Sequence, residues 1–151
     1  MKKNLIALFT ILLFSGELFS QVEYSVVTTV ESIVPAGLGR SRMISVTDQR
    51  DYKDFTSQRS EDKDKDEKNK SDRGNIRVKD YEETKLLNFY NLGGIRFQNI
   101  AANDAVVTSK INSMASDGWE LAFVVSGVES DSGDKDGEGI FITRYIFKRQ
   151  K

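Results

Sequence analysis

The period of apolar and polar positions changes along the last third of the chain, and this change predicts a helix followed by two strands. Apolar residues first recur at spacings of four and three, at Val107, Ile111 and Met114. Residues at these spacings share one face of a helix, so a helix is predicted from about Ala105 to Ser116. Asn103 and Asp104 are suitable N-cap residues before it, and Gly118 suits the left-handed position that ends a helix.

The two strands predicted after the helix differ in how their apolar residues are distributed. Residues 119–125 alternate with a period of two, which is typical of a strand. Residues 140–147 are apolar on both faces, which predicts a strand inside a sheet, antiparallel to the first through a hairpin. A strand that precedes the helix is expected on its other side. Trp119, the only tryptophan, is predicted to anchor the core against the helix, with a stacking platform for a ligand as the alternative.

Shorter elements are predicted in the first part of the chain. Residues 22–34 alternate and are rich in β-branched Val and Thr, which favours a strand that ends at Pro35. Residues 43–46 fit a second, short strand. Residues 81–90 fit a short helix or turn with an apolar edge, and residues 95–100 fit a short strand that leads into the helix.

A charged segment interrupts this pattern. Residues 60–70 contain no apolar side chain, and their positive and negative charges alternate and nearly cancel. Such a segment cannot bury enough surface to offset the entropy lost on ordering. We expect residues 57–74 to form a disordered insert, with a single charged helix as the alternative. The predicted fold class is α+β, a small antiparallel or mixed sheet with one main helix packed on a face, in which a βαββ core carries the insert.

The N-terminus has the three parts of a secretory signal peptide. Lys2 and Lys3 are followed by the apolar run Leu5–Phe14 and by a small residue, Ser20, at the expected boundary. The run is shorter than the ~20 residues that span a bilayer as a helix. We expect a signal peptide over residues 1–20 and an exported protein, periplasmic or extracellular, with a single α+β domain over residues 21–151 and no transmembrane segment.

Composition excludes several kinds of chemistry. The chain contains neither His nor Cys, which rules out Ser-His-Asp and Cys-His nucleophiles, zinc sites built on those ligands, and disulfide bonds.

The formal net charge is −1, from 22 basic and 23 acidic residues, and becomes −2 (20 against 22) without the two Lys and one Glu of residues 1–20. This balance gives no bulk attraction to nucleic acid, and no cofactor is predicted.

Three short motifs lie near the two ends of the chain that follows residue 20. They are Glu23-Tyr24-Ser25-Val26-Val27, Gly118-Trp119-Glu120-Leu121 and Tyr145-Ile146-Phe147-Lys148-Arg149. Together they resemble a small family of βαββ domains of unknown function. Residues 31–35 and 37–42 are in addition similar to stretches of exported proteins from Bacteroidetes-type bacteria. The resemblance leaves out the charged insert, and it implies the α+β fold and export but no activity.

The best candidate site is the loop over residues 37–42. Gly37 and Gly39 allow the backbone to approach a ligand, and Arg40 and Arg42 can present forked donors to a carboxylate, phosphate or sulfate group. The Lys-Ser/Thr ending of a P-loop is missing. The sequence therefore predicts an anion-binding loop, with a turn that carries two solvated or structurally paired arginines as the alternative.

A second candidate is the acidic, glycine-rich stretch over residues 129–139. Asp131, Asp134 and Asp136 could supply the converging oxygens that a calcium ion requires. The EF-hand pattern fails outside its centre, because Ser132 and Thr143 stand where an Asp and a bidentate Glu belong. A solvated hairpin loop is the alternative to weak calcium binding.

These features favour a non-catalytic binding or interaction module of the cell envelope, whose partner is an envelope protein or an anionic ligand. No pair of carboxylates is singled out for the chemistry of a glycosidase. A small hydrolase that acts on an envelope polymer and a weak calcium-binding protein are the alternative functions.

Overall fold

The structure, a computed structural model, describes residues 21–33, 40–62, 64, 66–128 and 139–151. The predicted signal peptide over residues 1–20 lies outside this range. The elements within it are, in chain order, β1 (Val22–Ser32), β2 (Arg42–Val46), α1 (Arg73–Ile76), β3 (Tyr81–Lys85), β4 (Tyr90–Asn91), β5 (Gly94–Ile95), α2 (Phe97–Ser116), β6 (Glu120–Val128) and β7 (Ile140–Gln150). A 3₁₀ turn at Tyr52–Phe55 precedes α1.

Five of the strands form one antiparallel sheet in the order β3-β2-β1-β7-β6. The predicted α+β class is confirmed, with α2 as the main helix. The expected position of β7 is also confirmed, because it pairs with β6 on one side and along its whole length with β1 on the other. Strands β4 and β5 form a separate two-stranded hairpin.

Helix α2 covers one face of the sheet. The buried core between them consists of Val27, Met43, Leu86, Met114 and Phe147. Partly buried side chains from α2 and the strands surround it, among them Trp119, so its predicted packing on the core is confirmed. The other face of the sheet is more open, since Tyr24 is 62% exposed and Val26 is 41% exposed.

Helix α2 begins earlier than its apolar spacing predicted. It starts at Phe97, so the predicted start near Ala105 and the predicted strand over residues 95–100 are wrong, apart from the short β5. The residue at the N-cap is Arg96, whose side chain makes no capping bond. At the other end the prediction is confirmed, because Gly118 has a φ of 83° and its N–H donates to Ala115 O at 3.0 Å.

The predicted helix or turn over residues 81–90 is also wrong in its first half. Tyr81–Lys85 is the edge strand β3, which pairs with β2. All of its residues are exposed, so it lacks the alternation of buried and exposed positions that reveals a strand in a sequence. The apolar residue that follows, Leu86, is 3% exposed and closes the core at this edge.

The charged segment between β2 and α1 lies at the surface. None of its described residues is buried. Gln58 and Glu67 form a two-residue bridge, and Arg59 pairs with Asp66 at 3.0 Å. Such exposed contacts contribute little to stability, and the disorder predicted for residues 57–74 stays a prediction.

Within the part of the chain that the structure describes, we find no helix with both the length and the apolar character needed to cross a bilayer.

Candidate anion-binding site

A cavity of about 480 Å³ opens to solvent where β2 begins and β3 ends. The segment between β3 and α2 and the first turn of α2 complete its wall. The lining residues are Arg40, Ser41, Arg42, Lys85, Leu86, Leu87, Asn88, Tyr90, Asn91 and Asn99. Two of the predicted ligand-binding residues, Arg40 and Arg42, therefore lie at one cavity.

The base of the cavity is fixed by Ser41, which is 1% exposed. Its Oγ accepts a hydrogen bond from Ser32 N at 3.0 Å and donates to Asn88 Oδ1 at 2.7 Å. Its carbonyl oxygen accepts from Leu86 N at 3.1 Å. Ser41 thus joins β1, the start of β2 and the segment that follows β3, so the residues on either side of it are held in place.

Two asparagines of α2 hold the opposite wall. Asn99 Nδ2 donates to Asn88 O at 2.7 Å. Asn103, only 3% exposed, accepts from Leu87 N and donates to Leu87 O, each at 2.8 Å. It also donates to Glu31 Oε1 at 2.7 Å. Residues 87–88 lie between β3 and β4, and these side chains bond to the backbone N–H and C=O of Leu87 and to the C=O of Asn88.

The basic side chains at the cavity are not equivalent. Arg42 Nε donates to Glu83 Oε1 at 2.6 Å, and its Nη1 donates to Ser41 O at 2.7 Å, so this guanidinium is already engaged. Arg40 and Lys85 are exposed, and neither forms an ion pair with another described residue. The charge available to a ligand is therefore that of Arg40 and Lys85 rather than that of both arginines.

Pairing between β2 and β3 brings two of these cations together. Arg42 and Lys85 are direct cross-strand partners. Like charges at opposed positions destabilise a strand pair, and Glu83 compensates one of the two. None of the described residues that line the cavity is acidic. The site is therefore a basic rim above a wall of amide side chains, an arrangement suited to hold an anion.

The other residues predicted to bind ligands lie outside the range that the structure describes. These are Gly37 and Gly39 of the anion-binding loop and the calcium candidates Asp131, Asp134 and Asp136. Among the described residues, no group of three or more Asp or Glu side chains is placed to hold a metal ion.

Sequence reasoning missed most of the cavity wall, including Lys85, Asn88, Tyr90 and Asn99. Lys85 is 43 positions from Arg42 and comes beside it only through strand pairing across the charged segment. No spacing rule connects residues that are so far apart in sequence. A strand prediction for residues 81–85 was the one signal that could have placed Lys85 near the arginines.

No protein-family model, curated protein or solved structure was found to match this chain.

Proposed function

We propose that this protein is an exported, non-catalytic binding module of the cell envelope that holds an anionic group at the cavity beside Arg40 and Lys85. The observation that carries this proposal is the charge of the site. Its described lining residues include three basic side chains and no acidic one, and two of the basic residues are opposed across β2 and β3. An anion bound there relieves the repulsion between them.

The rest of the lining narrows the class of ligand. Asn88, Asn91 and Asn99 are amides, and Tyr90 carries an aromatic ring that is 40% exposed. Side-chain amides both donate and accept hydrogen bonds, which suits a ligand with hydroxyl groups beside its charge. A carboxylated, sulfated or phosphorylated sugar combines these features, and such groups are carried by polymers of the cell envelope.

Calorimetric titration of the purified protein tests the site. The probes are sodium sulfate, sodium phosphate and sodium glucuronate at constant ionic strength. At least one probe should bind saturably, and Arg40→Ala or Lys85→Ala should weaken that binding by about tenfold, since each removes a charged donor. Arg144→Ala is the matched control, because it removes the same charge from a side chain of β7 that lies away from the cavity.

If all three variants bind a probe equally, the attraction comes from net charge alone, and the proposed site is rejected. If none of the probes binds saturably, the proposal that the cavity holds an anion is rejected.

Export is a separate part of the proposal and rests on the pattern of residues 1–20. Expression of the full chain in a bacterium with a secretory pathway, followed by intact-mass measurement of the exported fraction, tests it. We expect a mass that corresponds to cleavage after Ser20. A chain that stays in the cytoplasm with residues 1–20 attached contradicts export without affecting the anion site.

A further inference from the structure

Strand β6 forms one edge of the five-stranded sheet, at the opposite side from the cavity. It is nine residues long, and Glu120 at its start is its only charged residue. Glu120 lies 3.4 Å from Lys148 of β7 and is thereby paired within the sheet. From Leu121 to Val128 the edge carries no charge.

Apolar side chains of β6 are exposed on both faces of the sheet. On the face covered by α2, Val124 is opposite Tyr145 and Val128 is opposite Phe141. These two valines are still 52% and 59% exposed. On the other face Phe123 is 63% exposed and Val125 is 56% exposed.

An edge of this kind is unusual in a monomeric protein. An edge strand presents unpaired N–H and C=O groups, and monomers protect them with charged residues, proline or bulges. Strand β3, at the other edge, carries Glu82, Glu83 and Lys85. Strand β6 has a single irregularity between Leu121 and Phe123, and its regular pairing continues beyond it to Val128. Among the described residues, no strand pairs with the outer side of β6 from Phe123 to Val128.

We infer that β6 is an interface for a second copy of this chain, with the two β6 strands paired antiparallel across a two-fold axis normal to the sheet. The product is a continuous ten-stranded sheet. Such pairing satisfies the free backbone groups of both edges, in the manner of strand addition.

A second copy fits this edge better than a single foreign strand does. The two-fold axis keeps both α2 helices on the same side of the joined sheet, with Val124 and Val128 of each copy between them. A lone strand completes the ladder but brings no second layer to cover these valines. Because β6 is uncharged beyond Glu120, self-pairing opposes no like charges along it.

The side chains also match in size when the axis passes through Val125. Each Phe123 then lies across from Gly127 of the partner subunit. A side chain added at Gly127 would meet no atom within 4 Å, so there is room for the ring beside it. Aromatic residues that pack across a strand pair from glycine are a known way to stabilise such edges.

The test is the association state of the purified protein, measured by sedimentation velocity from micromolar to millimolar concentration. The unmodified protein should form dimers, and Val125→Lys should raise the dissociation constant at least about tenfold by placing two like charges at the axis. Tyr81→Lys is the matched control, since it makes the same kind of change at an exposed position of the other edge strand, β3.

Hydrogen exchange of the β6 amides gives a second measurement that does not depend on a variant. The amides of residues 123–127 that face away from β7 should become protected as the dimer forms. A protein that stays monomeric over the whole range overturns the proposal. A dimer that Tyr81→Lys disrupts and Val125→Lys leaves intact overturns it equally, because it places the interface at β3.

Discussion

The guanidinium carbon of Arg149 lies 4.3 Å from the centre of the Trp119 ring. Arg149 Nε also donates to Glu23 Oε1 at 2.6 Å, and its Nη1 donates to Asp117 O at 3.2 Å. One side chain near the end of β7 thus contacts the start of β1, the end of α2 and the tryptophan that follows it. Cations are attracted to the face of an aromatic ring, most strongly to that of tryptophan.

The first prediction concerns this contact. Arg149→Ala should lower the free energy of unfolding by about 1 kcal/mol, because the side chain is partly exposed and its cation–π and ion-pair contacts are correspondingly modest. A double-mutant cycle of Arg149→Ala with Trp119→Leu, in which each unfolding free energy is measured by urea denaturation, should give a coupling energy of about 0.5–1 kcal/mol. Arg144→Ala, combined with the same tryptophan change, is the control and should show no coupling.

A second prediction concerns Asn103, the buried asparagine of α2. Asn103→Ala should cost about 1–3 kcal/mol, because it leaves the N–H and C=O of Leu87 without their partner. Asn112→Ala, an exposed change in the same helix, should stay within about 0.5 kcal/mol of the unmodified protein. Urea denaturation of both variants provides the measurement.

Asn103→Asp refines this experiment. It keeps the acceptor for Leu87 N, removes the donors to Leu87 O, and places a carboxylate beside Glu31. It should therefore be at least as destabilising at neutral pH as the alanine change. A stability equal to that of the unmodified protein for both variants would show that residues 87–88 do not depend on the helix.

Asn103 also illustrates a limit of prediction from the sequence. Asn103 and Asp104 were predicted to cap α2, because a polar pair before an apolar face is typical of a helix start. The true start has no side-chain cap, and its first turn is tied to the rest of the domain by Asn99, whose Nδ2 donates to Asn88 O at 2.7 Å. Local sequence does not reveal such a contact. The apolar stripe at Val107, Ile111 and Met114 identified only the part of the helix that lies over the sheet.

The candidate site was also predicted only in part, because two of its residues were identified from the sequence but their roles were not. Arg40 and Arg42 stand in a short glycine-rich loop, so local composition was enough to single them out. Their different roles were not predictable, since Glu83 engages Arg42 only because β3 lies beside β2. Strands β1 and β6, by contrast, were predicted from alternation and β7 from a run that is apolar on both faces, because both patterns can be read from the local sequence.

A third prediction concerns the charged segment. Deletion of Glu61–Lys70 should change the free energy of unfolding by less than about 1 kcal/mol, since loop length has a small effect and none of the described residues that it removes is buried. The bridge between Gln58 and Glu67 shows that the chain returns close to its own start here, so a shorter connection can close. A loss of several kcal/mol in urea denaturation would mean that the segment packs on the domain.

The last prediction is a dependence of stability on pH that comes from Tyr145. Burial raises the pKa of this phenol above its ordinary value of 10.0, and the carboxylates of Glu31 and Asp104 raise it further. The folded protein therefore retains the phenolic proton to a higher pH than the unfolded chain does. Below pH 10.0 the phenol is neutral in both states, and its contribution to stability is fully present.

As the pH rises above that value, the unfolded chain binds fewer protons than the folded protein, so stability falls until the folded phenol also ionises. Tyr145→Phe keeps the ring and removes the ionisation, so it should reduce the loss of stability above pH 10.0. The measurement is urea denaturation of both proteins at intervals from pH 8 upward, with the difference at pH 8 as the baseline. A difference between the two proteins that stays constant through the alkaline range would contradict a raised pKa of Tyr145, whereas one that shifts in favour of Tyr145→Phe with rising pH supports it.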